Sequence, residues 1–350
     1  MSGSTTTLLP RPPDYFLERL RHIALAIRAS VAHALHAEMA ELLSRAIAER
    51  GGDTIYRLDE HGEAVLLTHC ERWGHDLPFL LIAEGLVAGE QIFPQGASRD
   101  ELAFTLIADP IDGTRELMYS KRSAWVLLGV APPPRPGWHP TLANVQIALQ
   151  AELPTARAAV ADLLYAVRGE GVHAETHDLR TDAITPFVPR PSQATTLEGG
   201  FAAISKFFPG AKELTARLEE GIFSELLGPP TSSSPQVFDD EYISSGGQLY
   251  ELLIGHDRFL ADLRPLLHNP REPVTRISCH PYDICTALIA EEGGVLITDA
   301  TGRPLSAPLD TVTAVAWVGY ANQTLRALIE PTLQRHLLAL VGPLDPPGNP

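Results

Sequence analysis

The chain has 350 residues, 45% hydrophobic and 20% charged, with a formal net charge of −16. That length can bury a large core in one domain or two, and the composition is ordinary for a soluble globular protein. The charge argues against a nucleic-acid surface, which needs a basic stripe, and no apolar run approaches the roughly 18–20 residues of a membrane span.

The first residues lack the basic region and long apolar core of a signal peptide, so a cytoplasmic protein is expected. Cys70, Cys279 and Cys285 show no metal-type pair spacing and read as buried or free thiols. Residues 1–13, rich in Ser, Thr and Pro, read as a disordered arm. A long helix is expected from Asp14, with Phe16, Leu20, Ile23, Ile27 and Val31 at helical spacing. Leu35, Leu42 and Ile47 extend that stripe towards Gly51-Gly52. A second helix is expected over about 59–73. Residues 78–84 form a short apolar strand ending on Glu84, and 101–108 form another running into Asp109.

Strands are expected over 123–131, 141–150, 160–167 and 171–174, the first two joined by a Pro-rich loop. The Pro/Ser/Thr/Gly-rich stretch 186–200 divides an N-terminal half, 14–190, from a C-terminal half, 191–341, with 342–350 a loose tail. In the second half, strands are expected at 201–205, 257–265, 295–298 and 312–319. Helices are expected at 211–227, from Ser244, over 284–292 behind Asp283, and from Asn322, where Pro331 should kink or divide the helix.

The densest chemistry lies in Asp109-Pro110-Ile111-Asp112-Gly113-Thr114. Pro110 blocks a strand ladder, so a turn is expected there, with Asp109 and Asp112 facing one point. Gly113 lets backbone approach that point, and N–H groups at a following helix start favour an anion. Such a site suits Mg²⁺ shared with a phosphate, although Asp-Pro-Ile-Asp-Gly, with its Asp, Pro and Gly, also reads as simply a turn. A bound cation would also reverse the local sign for a phosphorylated substrate approaching an acidic protein.

Three stretches in order resemble the inositol monophosphatase superfamily of lithium-sensitive, Mg²⁺-dependent sugar and inositol phosphatases. They are Leu81-Ile-Ala-Glu84, the Asp109–Thr114 run, and Tyr282-Asp283 through Gly293-Gly294 to Asp299. The resemblance spans about 15–338. It implies an α/β (α+β) fold, a layered αβαβα sandwich of the inositol monophosphatase and fructose-1,6-bisphosphatase type, with the metal site near the joint of the halves. Carried onto this sequence, it implies one Mg²⁺ at Glu84, Asp109 and the Ile111 carbonyl, and a second at Asp109, Asp112 and Asp283. Thr114, hydrogen-bonded towards an acid, would orient the attacking water, and the Gly113 and Thr114 N–H groups would hold phosphate. Asp283 is expected at a helix N-terminus, where it also reads as a plain N-cap. Asp59 resembles an acid beside a weaker third metal, or is a surface helix acid. A homodimer is implied by the family alone.

The departures are Tyr282 for a usual Trp, Gly85 for the second acid of a common Glu-Glu pair, and Arg115 where a small polar residue is commoner. Arg115 reads equally as a phosphate contact or a surface arginine. Ser244-Ser-Gly-Gly-Gln248 weakly resembles a small-residue turn lining the substrate pocket. His280 is close enough in sequence to reach the pocket, whereas Lys206 and Arg258 have no spacing to recommend them. The expected activity is hydrolysis of a small polyol or sugar monophosphate. The rivals are a bisphosphate phosphatase, which would need a second cationic cluster, and a catalytically silent binding relative.

Overall fold

The computed structural model describes residues 9–37, 44, 46–50, 53–229, 235–267 and 278–343. Helix α1 (Pro13–Ala37) buries Phe16, Leu20, Ile23, Ile27 and Val31 on one face, as their spacing predicts. The expected continuation through Ile47 does not form. Ala46–Arg50 is a strand, β1, paired antiparallel with β2 (Asp53–Tyr56), Arg50 lying opposite Asp53. Gly51-Gly52 lies outside the described residues. Leu42 lies outside the described residues. Helix α2 (Arg57–Gly74) buries Leu58, Leu66, Cys70 and Trp73 and packs beside α1.

These two helices cover one face of an eight-stranded sheet of order β10-β9-β8-β7-β6-β5-β3-β4. Its strands are β3 (Phe79–Ala83), β4 (Glu90–Phe93), β5 (Phe104–Asp112), β6 (Ala124–Ala131), β7 (Ile147–Leu153), β8 (Val160–Val167), β9 (Gly171–Asp178) and β10 (Ile184–Phe187). Only β3 and β5 run parallel among its pairs, and their adjacency carries Glu84 and Asp109 to the same edge. Both strands start in an aromatic cluster: Phe79 stacks on Phe104 at 4.6 Å and Trp73 lies 4.8 Å from Phe104. Burial of rings this large holds the strand origins firmly under the helices.

A five-stranded sheet has the order β12-β11-β13-β15-β14. It comprises β11 (Gly200–Ile204), β12 (Val237–Phe238), β13 (Asp257–Asp262), β14 (Leu296–Asp299) and β15 (Trp317–Tyr320). Helix α3 (Thr114–Met118) follows β5, and α4 (Lys212–Leu227) and α7 (Gln323–Val341) cover the outer face of this second sheet. Helices α5 (Ser245–Leu253) and α6 (Ala287–Glu292) lie between the two sheets, sharing a core with both. The succession is α1/α2, sheet, α5/α6, sheet, α4/α7, the αβαβα sandwich expected.

Pro331 sits inside α7 without dividing it. The strand expected over 312–319 is confined to Trp317–Tyr320, and most of the stretch between Leu266 and His280 lies outside the described residues. All three cysteines are buried and free. No described helix is long and apolar enough to cross a membrane.

Candidate metal centre and active site

The site begins where β3 ends and its pairing with β5 stops. Ala83 pairs with Ala108, so the next residue of each strand is an acid, Glu84 and Asp109. The turn expected at Pro110 does not occur. The strand continues to Asp112 through a β-bulge: Asp109 faces Leu127 and Asp112 faces Trp125, with one extra residue on the β5 side. Pro is tolerated at a bulge because the ladder is interrupted there already. The Asp109 carboxylate accepts from the Ile111 N–H at 3.0 Å, spanning the proline. The bulge achieves the convergence that a turn was expected to provide.

Asp112 is held by the far half of the chain. Its Oδ2 accepts from the Ser244 hydroxyl at 2.8 Å and the Gly246 N–H at 2.7 Å, at the first turn of α5. Ser244 also caps that helix, accepting from the Gly247 N–H at 2.8 Å. A Cβ on Gly246 would lie 2.5 Å from a Leu127 methyl and 3.0 Å from the Asp112 carboxylate, so only glycine allows this approach. The small-residue run Ser244–Gln248 is therefore the seat of a metal-motif carboxylate. Behind it, Gln150 donates to the Gly246 carbonyl at 2.7 Å and accepts from Thr286 at 3.0 Å, tying the start of α5 to the turns ahead of α6.

Asp283 stands in those turns and not at the N-terminus of α6, which begins at Ala287. The stretch closes with tight bonds from Asp283 N–H to the His280 carbonyl and from Ala287 N–H to the Ile284 carbonyl. The Asp283 carboxylate accepts from the His280 N–H at 2.6 Å. This brings it to the other two: one oxygen each of Asp109, Asp112 and Asp283 lies within 4.8 Å of the others. Glu84 and Ile111 line the same cavity.

Three carboxylates this close cannot all stay charged without a counter-ion. Burial first, then Glu84, Asp112 and Asp283, push the Asp109 carboxyl well above the usual range. Asp112 is pushed up to about 8 by burial and then by Asp283, against the lowering effect of its bonds to Gly246 and Ser244. The donor set is all oxygen, with neither sulfur nor imidazole within the group, which fits a hard divalent cation such as Mg²⁺.

Next to this group, the Thr114 hydroxyl lies 2.7 Å from Asp59 Oδ1 and 2.8 Å from the Ile111 carbonyl. The other oxygen of Asp59 accepts from the Tyr56 N–H at 2.7 Å, fixing the carboxylate at the start of α2. Asp59 thus lines the cavity as the partner of Thr114. Gly113, in a left-handed conformation (φ 99°), caps α3, and Arg115 Nε donates to the Tyr56 hydroxyl at 3.1 Å on the cavity wall. Where a second acid after Glu84 would stand, a Cβ on Gly85 would lie 2.7 Å from Glu63 Oε2, so a helix-borne carboxylate fills that space. His280 reaches the cavity. Lys206 does not; it is paired with Glu219, Asp239 and Glu241. Arg258 donates to the Thr196 and Glu198 carbonyls on the surface.

No protein-family model and no curated protein matches the sequence. Solved structures do match. Leishmania major fructose-1,6-bisphosphatase in holo form has a TM-score of 0.66 at 16% identity, covering 96% of this chain and 99% of that one. The SuhB extragenic suppressor protein of Bartonella henselae gives 0.61 at 13% identity, with 92% and 99% covered. Thermotoga maritima IMPase gives 0.57 at 15% identity, with 93% and 99% covered. The chain has the inositol monophosphatase and fructose-1,6-bisphosphatase fold.

Within this fold, sequence reasoning missed the pairing of Asp59 with Thr114, the seating of Asp112 on α5, and the bridging role of Gln150. The Ser-Ser-Gly-Gly cluster at a helix start was a usable signal for the second, since small residues there permit close backbone approach. Gln150, in a buried strand, carried no local signal.

Proposed function

We propose that the chain is a Mg²⁺-dependent phosphatase that hydrolyses a phosphate monoester of a small sugar or polyol. The observation that carries this reading is the convergence of the Asp109, Asp112 and Asp283 carboxylates beside the Thr114–Asp59 pair. Asp109, Asp112, Asp283, Glu84 and the Ile111 carbonyl would hold the ions. Bound Mg²⁺ would lower the pKa of a water and offset charge on the phosphoryl group.

The chain's own groups do the rest. Thr114 directs its proton towards Asp59, which turns a hydroxyl lone pair to accept from an attacking water. Asp59, anchored by the Tyr56 N–H, draws that proton relay away from the substrate. The Gly113 and Thr114 N–H groups on the cavity wall are assigned to phosphate oxygens. Two of the matching structures are named fructose-1,6-bisphosphatase and IMPase, which agrees with a phosphatase.

The test is phosphate release from a panel of inositol, sugar and nucleotide phosphates, with Mg²⁺ and with EDTA. Release that requires Mg²⁺ is expected, the preferred compound naming the subclass. Release that persists in EDTA would contradict the mechanism, and none at all from Mg²⁺-loaded, folded protein would favour a silent binding relative.

A further inference from the structure

Gln150 is buried in the middle of β7, only 3% exposed. Its cross-strand neighbours are Leu127 on β6 and Leu164 on β8, neither of which can bond an amide. Leu127 stands in turn opposite Asp109 on β5. Residues directly opposite each other in a sheet point to one face. Asp109, Leu127 and Gln150 therefore form a single row across three strands, on the face that α5 and α6 cover. In the next row Gly129 lies between Ile107 and Ala148. A Cβ on Gly129 would stand 3.2 Å from the Cys285 carbonyl oxygen and 3.4 Å from the Cys285 Cβ, so the turns that carry Asp283 rest directly on the sheet.

The Gln150 amide reaches from this row to both of the other carboxylates' supports. Its Nε2 donates at 2.7 Å to the carbonyl of Gly246, the residue whose N–H holds Asp112. Its Oε1 accepts at 3.0 Å from the hydroxyl of Thr286, three residues beyond Asp283. Thr286 is fully buried and its side chain makes no cap to α6, so the hydroxyl is spent on Gln150. Making both bonds takes one donor and one acceptor at the end of a two-methylene stem. An ionised glutamate has no donor for the Gly246 carbonyl, and asparagine is one methylene short. The sheet fixes Asp109 directly, Asp112 is held through the start of α5, and Asp283 is held through the turns ending at Thr286. Gln150 is where the row of Asp109 meets the other two.

We propose that Gln150 is a positioning residue of the metal centre. By bonding Gly246 and Thr286 at once, it sets the spacing of the Asp112 and Asp283 carboxylates and thereby the affinity for the cation they share. Thr286 is its partner in this, acting on the carboxylates only through Gln150. The inference rests on the metal-centre reading above and adds a residue from outside the motifs that supply the carboxylates.

The experiment is calorimetric titration of Mg²⁺ into the wild type, Gln150→Met, Thr286→Val and the double variant, well below their melting temperatures in EDTA. Methionine keeps the length of the side chain and valine keeps the shape of threonine, while each removes the bonds. Gln150→Met is expected to weaken Mg²⁺ binding about ten- to a hundredfold, the usual effect of losing a group that orients metal ligands. Thr286→Val should weaken it by a smaller factor, and the double variant should bind no more weakly than Gln150→Met, because both changes break one link. Thr286→Ser, which returns the hydroxyl, should bind as the wild type does. A lowered melting temperature in EDTA with unchanged Mg²⁺ affinity would make the bridge merely structural and overturn the proposal, as would losses that add in the double variant. If Gln150→Met does not fold, unchanged affinity in Thr286→Val overturns it alone. Phosphate release from the same proteins separates the two readings. Gln150-dependent Mg²⁺ binding without hydrolysis would uphold the positioning and refute the phosphatase, and Mg²⁺-dependent hydrolysis with affinity indifferent to Gln150 would do the reverse.

Discussion

Asp112→Asn is expected to lower Mg²⁺-dependent phosphate release by about a hundred- to a thousandfold, the cost of removing one preorganised charge-stabilising group. The variant should fold, because an Asn side-chain oxygen still accepts from Ser244 and Gly246 in the seat that holds Asp112. The same substitution should change how stability depends on pH in metal-free protein. The Asp112 carboxyl, with an ordinary value of 3.8 in the unfolded chain, is pushed up to about 8 by burial and Asp283 in the folded one, so folding favours its protonated form. Its contribution is complete below the unfolded pKa and is lost as pH rises through the folded one. In EDTA, the wild-type melting temperature should therefore fall between about pH 4 and pH 8. Asp112→Asn should fall less steeply, retaining the part due to Asp109, whose shift has the same sign. Mg²⁺ should flatten the wild-type curve, because a cation replaces the protons. Thermal scans with and without EDTA read all three.

Thr114→Val should lower kcat by about a hundred- to ten-thousandfold, the usual range for removing a general acid–base group. Valine matches threonine in shape but cannot donate to Asp59 at 2.7 Å or to the Ile111 carbonyl at 2.8 Å. KM should change little, since the hydroxyl is assigned to the water and not to the substrate. Thr114→Ser should restore most of the activity by returning the hydroxyl. A parallel loss in both variants would mean that the methyl group, and hence packing, matters more than the hydroxyl.

What was legible in the sequence was local. Glu84 and Asp109 could be placed because each follows a short apolar run, and parallel neighbours deliver such runs to one edge. The α1 stripe was legible as far as Leu35, but hydrophobic spacing does not mark where a chain turns to pair with itself, so Ile47 was assigned to a helix. Pro110 was read as a turn because a proline breaks a ladder, yet a bulge satisfies the same constraint and lets the strand continue. Asp283 was placed at a helix start because a carboxylate followed by an apolar run is the usual signature. The tight turns closed by His280 and Ile284 are set by tertiary packing. What joins the site over long range was not legible. Asp112 and Gly246 are 134 residues apart and Thr114 and Asp59 are 55 apart, and neither pairing follows from any local pattern.

Asp109, Asp112 and Asp283 are expected to form a cation site in which Asp109 and Asp112 hold protons when no cation is bound. Calorimetric titration of Mg²⁺ near neutral pH, in two buffers of different ionisation enthalpy, tests this most directly. Binding should release protons, seen as a heat that depends on the buffer, and Asp112→Asn should weaken the binding and diminish the release. Mg²⁺ binding that releases no protons and is indifferent to Asp112→Asn would place the cation outside this carboxylate group.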